Sequence, residues 1–379
     1  MARYRHVRPT LLCVRPEPSA RKDDVMSTAM QVTGGVDTHA DTHHAAALDE
    51  VGRLLGDREF PATPAGYAEL GSWLAGYGEL AVVGVEGTGS YGAGLTRHLR
   101  AEGATVLEVN RPDRRQRVVR GKSDPLDAEN AARRALARRD TAIPKDTATA
   151  VESVRALTVA RAGAIKARTA ALNQLKDLRL TAPEPLRSAL RAGGLRQLAQ
   201  AAARLRPDPT RLAEPTQATK AAMRSVGRRV QILTDEINDL DRQITALVAQ
   251  IAPATLSLFA VSTHHAAQLV ITAGANPDRL HSEAAFAALC GASPIPASSG
   301  KSHRHRLNRA GDRHANRTLH MITVLRMRWH PATRAYVQRR TAEGMTKLEI
   351  MRCLKRYIAR ETYHALISDL TTSQRLDAV

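Results

Sequence analysis

From Met223 to Ile251 the apolar residues Met223, Val226, Val230, Leu233, Ile237, Leu240, Ile244, Leu247 and Ile251 follow one another in alternating steps of three and four. That spacing is a long helix with a single apolar seam, since a strand would need a period of two. So long a seam cannot be left in water, and the chain or a second subunit has to cover it. A smaller stripe lies upstream, in Val154, Leu157, Ala160, Ala164, Ala167, Ala171, Leu175 and Leu178. Between the two runs is a Pro- and Arg-rich interval with Pro183, Pro185, Pro207 and Pro209. The two helices are expected to pair as an antiparallel arm or to pair with another subunit; spacing alone does not choose.

Ahead of the arm the period changes. Residues 32–50, VTGGVDTHADTHHAAALDE, read as two paired strands with a turn between them, and residues 53–60 as a third strand. A helix follows from 64 to 76. The run LAVVGVEGTG at 80–89 is a strand ending in Glu86 and a glycine turn, then come a helix at 91–102 and a strand at 105–109. Strands alternating with helices predict an α/β sheet covered on both faces. Asp37 falls on the first strand, where a buried carboxylate needs a cation or a donor; a turn facing solvent is the plainer alternative. From Asn110 a basic linker carries Arg111, Arg114, Arg115, Arg117, Arg120 and Lys122 into SDPLDAENAARRALARR, a helix with Ser123 or Asp124 as cap and Pro125 in its first turn. Asp124 and Asp127 then share one face of the helix start, a place the helix dipole alone also favours for acids.

The last part, 256–370, is predicted to be helical with short connectors: helices at 266–273, 282–290, 309–328, 330–340 and 346–368, and a loop at 291–308. The basic residues Lys301, Arg304, Arg306, Arg309, Arg313 and Arg317 crowd the end of that loop with only Asp312 against them. The whole chain repeats this bias, with 56 Lys and Arg against 37 acidic residues and a net charge of +19. The excess points to a polyanion, nucleic acid first, because neutralised phosphates release condensed counterions. A basic membrane-surface protein is the competing class. No apolar run reaches the roughly 18 residues of a spanning helix, and no secretory signal is present. Cys13, Cys290 and Cys353 stand far apart, which fits a reduced cytoplasm and neither a zinc site nor a disulfide framework. His39, Asp41, His43 and His44 invite a zinc reading, but the turn between the strands is expected to scatter them.

Asp37, Glu86, Asp124 and Asp127 are four carboxylates that an α/β sheet can bring to one point, and all-oxygen ligands suit Mg²⁺ or Mn²⁺. Taken in order, GVDTH, GVEGTGSYG, KSDPLDA and PIPASSGKSHRHRLNRAGDRHANRTLH resemble the DEDD transposases of bacterial insertion sequences, a family that also holds Piv-type DNA invertases. The resemblance runs from about Val32 to Leu366. It implies a RuvC-like, RNase H-related domain at 31–145 with the four carboxylates as a metal-binding tetrad; the stretch 1–30 ahead of it, Arg- and Pro-containing without periodicity, is expected to be a disordered leader. The resemblance further implies a helical coiled-coil region at 146–252 and a mainly helical C-terminal transposase domain at 253–370 whose nucleophile is Ser299, with Ser298 beside it. By the same likeness the partners are DNA, a structured guide RNA encoded by the element and further copies of the chain, as a dimer or tetramer. Arg111, Arg114, Arg115, Arg117, Lys122, Lys301, Arg304, Arg306 and Arg309 are the expected nucleic-acid contacts. Two departures stand out: the segment 261–265 lacks the glycines of a helix–hairpin–helix-like turn, and Ala40 replaces a lysine after the first motif. Two rival readings follow, a hydrolytic RuvC-like junction nuclease using the carboxylates without the serine, and an inactive nucleic-acid-binding remnant.

Overall fold

The computed structural model describes residues 30–109, 123–139, 141–191, 193–300 and 305–377. The expected leader as far as residue 29, and the linker residues 110–122, lie outside the described residues. The strands are β1 (Gln31–Thr38), β2 (Thr42–Leu48), β3 (Leu54–Pro61), β4 (Glu79–Glu86), β5 (Val106–Val109) and β6 (Thr141–Ala142), in the sheet order β3-β2-β1-β4-β5-β6. β1 runs antiparallel to β2 and parallel to β4, β4 parallel to β5, and β6 closes the edge antiparallel.

Strand parity divides the sheet into two faces. Val32, Val36, Ala45, Ala47, Val83 and Val85 point to one of them, where they form a core with Leu70 and Leu74 of α1 (Pro64–Ala75) and Leu95 and Leu99 of α2 (Ala93–Ala101). The opposite face is covered by α3 (Asp124–Leu136), whose Ala128, Ala131, Ala132 and Ala135 are fully buried. Two glycines set how closely α3 lies. A Cβ on Gly35 would stand 2.1 Å from Ala132 N and 2.3 Å from Ala128 O, and one on Gly84 would stand 2.7 Å from Ala131 O. Helix backbone therefore rests directly on sheet backbone, a contact that no side chain permits.

α4 (Ala150–Thr181) and α7 (Pro215–Ile251) pair within the chain, with α5 (Glu184–Ala189) and α6 (Leu195–Ala203) between them. Val151 and Val154 meet Ile244 and Val248, whereas Ala171 and Leu175 meet Met223, Val226 and Val230, so the pair is antiparallel. Every position of the α7 seam is buried or half-buried. The α4 stripe is less regular than its spacing suggests, since Ala160 and Ala167 are exposed and Arg161 turns inward, donating from Nε to the Asp241 carboxylate. Alanine tolerates either environment, so a stripe built largely from it marks a face only loosely.

Beyond α7 come α8 (Pro253–Ser257), α9 (Thr263–Ala273), α10 (Glu283–Leu289), the short strands β7 (Ile295–Pro296) and β8 (His305–Arg306), then α11 (Arg313–Trp329), α12 (Pro331–Ala342) and α13 (Lys347–Asp377). Their core holds Leu269, Phe286, Leu319, Ile322, Ile358 and Leu366. Asp369 of α13 caps α8, accepting from Ala254 N at 2.8 Å, Thr255 N at 2.9 Å and Thr255 Oγ1 at 2.7 Å. The predicted loop at 291–308 is a hairpin, β7 pairing antiparallel with β8. A clasp joins this region to the sheet. Lys145 Nζ donates to Ile271 O at 2.6 Å, Asn276 Nδ2 to Pro144 O at 3.1 Å, and Arg279 to Ile143 O and Ala273 O at 3.0 and 3.1 Å.

The segment 261–265, noted above for its missing glycines, opens α9. Ser262 Oγ accepts from His265 N, and His265 Nδ1 in turn accepts from Ser262 N at 3.2 Å. Just ahead, Ala260 takes φ of +65°, in the left-handed region where a Cβ costs about 1 kcal/mol or more. Ala260→Gly is expected to raise stability by about 1 kcal/mol, read as a higher urea midpoint at unchanged slope; an unchanged or lower midpoint would contradict strain at this turn.

Candidate active site

Asp37 and Glu86 sit on neighbouring parallel strands, near the C-terminal ends of both. The register pairs Val36 with Val85, which makes Asp37 and Glu86 the next rung. Thr38 Oγ1 donates to Glu86 O at 2.8 Å and ties the two strand ends together. Both acids are buried, at 7% and 5% exposure, so Asp37 is not a solvent-facing turn residue.

The other two carboxylates arrive from above the sheet. Because α3 rests on Gly35, two residues before Asp37 on the same face, its first turn opens over Asp37. Ser123 occupies the cap position in extended conformation, but its hydroxyl makes no cap bond, and Asp124 begins the helix. Asp127, one turn on, is 3% exposed. Burial is the main influence on Asp37 and pushes its carboxyl up; His39 opposes this, and the negative charges of Asp127 and Asp124 add to the rise. Like charges packed together at a sheet end favour a cation between them.

One further side chain joins the group. His39 Nε2 lies 3.1 Å from Asp37 Oδ2 and 3.5 Å from Asp124 Oδ1. Asp37, His39 and Asp124 each offer one ligand atom, all within 4.8 Å of one another, a grouping able to hold a metal ion. Two of the four expected ligands thus belong to it, Asp127 adds its charge to Asp37, and Glu86 stands at the adjoining strand end. Sequence reading set His39 aside together with the zinc possibility. Its signal was parity: two residues past Asp37, it leaves the strand on the same side. The remaining residues of that zinc reading do diverge. His44 Nε2 pairs with Asp57 at 2.7 Å, Asp41 is exposed, and His43 is fully buried, stacked on Tyr67 at 5.6 Å. Burial holds the His43 imidazole below its ordinary pKa, and its Nε2 has no hydrogen-bond partner among the described residues.

Ser298 and Ser299 lie elsewhere, exposed just past the end of β7. Arg306 lies on β8 and Arg309 follows it, both exposed. Arg111, Arg114, Arg115, Arg117, Lys122, Lys301 and Arg304 fall outside the described residues. Cys290 is buried, its thiol pushed up to about 12 chiefly by burial; neither Cys290 nor Cys353 is in a disulfide. Among the described residues no helix is long and apolar enough to cross a membrane.

Compared with curated proteins, the chain matches none. Two family matches, however, fall on the two regions that carry these residues. Residues 34–181, from the first strand through α4, match the transposase family of the IS110 DEDD type, and residues 254–338, which include the serine hairpin, match the transposases of the IS116/IS110/IS902 family. Together the two matches span more than half of the chain, and the chain belongs to the IS110 family of DEDD transposases.

Proposed function

We propose that this transposase cuts and rejoins DNA through a covalent Ser299–phosphate intermediate, with Asp37, Glu86, Asp124 and Asp127 holding Mg²⁺ or Mn²⁺ and an element-encoded RNA choosing the site. The observation that carries the reading is the convergence of Asp37 with Asp124 and His39 at the end of β1, next to Glu86 on β4. The strand order 3-2-1-4-5, with the acids on the two central parallel strands, supports a RuvC-like, RNase H-related assignment of 31–145. The helical pair then makes up 146–252, and a C-terminal domain carrying the hairpin 253–370.

The donor set fits a divalent cation: the carboxylates of Asp37 and Asp124 with the His39 imidazole, and a raised Asp37 that positive charge would relieve. Such an ion supplies Lewis acidity at a phosphodiester oxygen. The chain's own groups do the rest. Asp37 and Asp127 are held by strand and helix, so their positions survive the arrival of substrate. Ser299 Oγ forms its bond to phosphorus as the phosphorus–deoxyribose oxygen bond breaks, and the incoming hydroxyl of the second strand later reverses that exchange. A serine hydroxyl needs activation, so the hairpin has to dock against the carboxylates, from the same chain or from a second copy. Arg306 and Arg309, on and after β8, are placed to meet the phosphate as its charge develops.

The test expresses the chain with the DNA flanking its gene and looks for a covalent protein–DNA adduct on a denaturing gel. The expected result is an adduct that requires divalent metal and disappears in Ser299→Ala, with overall folding unchanged because Ser299 is exposed. Metal-dependent nicking that survives Ser299→Ala would instead establish the hydrolytic nuclease. Binding without any cleavage would establish the inactive remnant.

A further inference from the structure

Behind the serine hairpin is a cavity of about 400 Å³, a size suited to a small ligand. One wall is the hairpin itself, through Pro294, Arg306 and Leu307; the other is α13, through Arg352, Lys355 and Tyr357. The hairpin base is pinned. Asn308 Nδ2 donates to Ser293 Oγ at 2.8 Å, and Asn316 Nδ2 donates to Cys290 O and Gly291 O, both at 2.9 Å.

Lys355 is the unusual member of the lining. It is only 8% exposed, yet its Nζ donates to a neutral amide oxygen, Asn316 Oδ1, at 2.6 Å, and no carboxylate pairs with it among the described residues. A buried ammonium of this kind is destabilising unless an anion completes it, and burial accordingly pulls its pKa down. The neighbouring cations have acids of their own. Arg352 is 3.9 Å from Glu349, and Arg356 is taken by Glu283 at 3.1 Å. Glu349, the acid of the lining, already accepts from Thr346 N and Thr346 Oγ1 at 2.9 and 2.7 Å as part of the α13 start. The mouth of the cavity is apolar and aromatic: Tyr357 is 56% exposed and Leu307 51% exposed. Tyr336 packs edge-on against Tyr357 at 5.8 Å and fixes its ring.

We propose that this cavity receives one unstacked nucleotide of the DNA strand on which the hairpin acts, its phosphate against Lys355 and Arg352 and its base against Tyr357 and Leu307. Naming DNA as the source rests on the transposase reading; the chemistry of a phosphate joined to a flat ring rests on the cavity alone. A free phosphate would leave the Tyr357–Leu307 mouth unused, and a purely apolar ligand would leave Lys355 uncompensated. A nucleotide seated here touches the hairpin wall, so filling the site would also hold the serine tip in one position.

The experiment is equilibrium binding of the full chain to a fluorescein-labelled thymidine oligonucleotide, single-stranded and as the matching duplex, in EDTA so that no cleavage intervenes. Tyr357→Ala, which removes the stacking partner, and Arg352→Ala, which removes a phosphate contact, both at accessible positions, are each expected to weaken single-strand binding about tenfold. Duplex binding should change less than about twofold, since backbone contacts elsewhere dominate it. Lys355→Met is expected to act in the same direction; if it does not fold, the two surface variants still decide. Unchanged single-strand affinity in both would overturn the proposal, as would an equal loss on duplex. A loss confined to a uridine oligonucleotide would overturn the assignment to DNA. Ser299→Ala should bind like the parent chain, so failure of the serine reading and failure of the pocket are separate outcomes.

Discussion

Asp37→Asn should abolish metal-dependent strand cleavage, by roughly a thousandfold or more, while nucleic-acid binding stays within about twofold. The amide keeps the shape of the side chain but removes the charge that a divalent ion needs, at a carboxylate grouped with both His39 and Asp124. Stability distinguishes this loss from misfolding. Because burial raises the Asp37 carboxyl, its ionised form is disfavoured in the folded chain, and metal-free stability should increase as pH falls through the raised folded pKa toward the ordinary carboxylate value. The neutral amide mimics the protonated state, so in EDTA the variant should melt at or above the parent temperature. Added Mg²⁺ should then raise the melting temperature of the parent, by the equivalent of about 2.7 kcal/mol at a hundredfold excess over Kd, and leave the variant where it was. Equal stabilisation of both by Mg²⁺ would place the ion somewhere else.

Gly35→Ala is the second large effect, and it arises without any change of charge. The new methyl would stand 2.1 Å from Ala132 N and 2.3 Å from Ala128 O, both backbone atoms of α3. Neither can rotate away. Either α3 lifts, taking Asp124 and Asp127 with it, or β1 bends at the residue two before Asp37. A cost of about 3 kcal/mol or more is expected, at the upper end for overpacking, together with loss of divalent-ion binding. Gly163→Ala provides the contrast, since nothing lies within 4 Å of its Cβ and the site is mid-helix. There the expected change is a gain of about 1 kcal/mol. A Gly35→Ala chain that melted normally and still bound Mg²⁺ would show that helix packing does not set the acid cluster.

The strands and the long helices were legible because their signals are periodic and long. Residues 31–109 alternate in type clearly enough that each element lies within a few residues of its expected place, and the α7 seam is at least half-buried at every position named. What resisted reading was short or chemically ambiguous. β7 and β8 are two residues each, too brief for any period to show, so the serine hairpin looked like a loop. Ala160 and Ala167 were assigned inward on spacing, and alanine carries too little apolar surface to enforce it. At the site, Asp37 and Asp124 announce themselves by family likeness, while His39 lay hidden in a run of four polar residues that also suggested zinc. The structure separates that run by direction: one ring toward Asp37, one buried on Tyr67, one bonded to Asp57.

The clasp between Ile143–Thr147 and Ile271–Arg279 bears on how such chains can be recombined with one another. Each stretch satisfies polar groups of the other, the ammonium of Lys145 on the carbonyl of Ile271 and the guanidinium of Arg279 on that of Ile143. Arg279 also reaches to within 3.9 Å of Glu108, the residue that pairs with Val85 one rung from Glu86. The Ile271 and Ile143 acceptors are main-chain carbonyls that any replacement half would also supply, so what a chimera exchanging the serine-bearing half alone would put at risk is the side-chain match of Arg279 with Glu108. A working hybrid therefore has to supply a long donor side chain at 145 and at 279 and an acid at 108, whichever parent each half comes from.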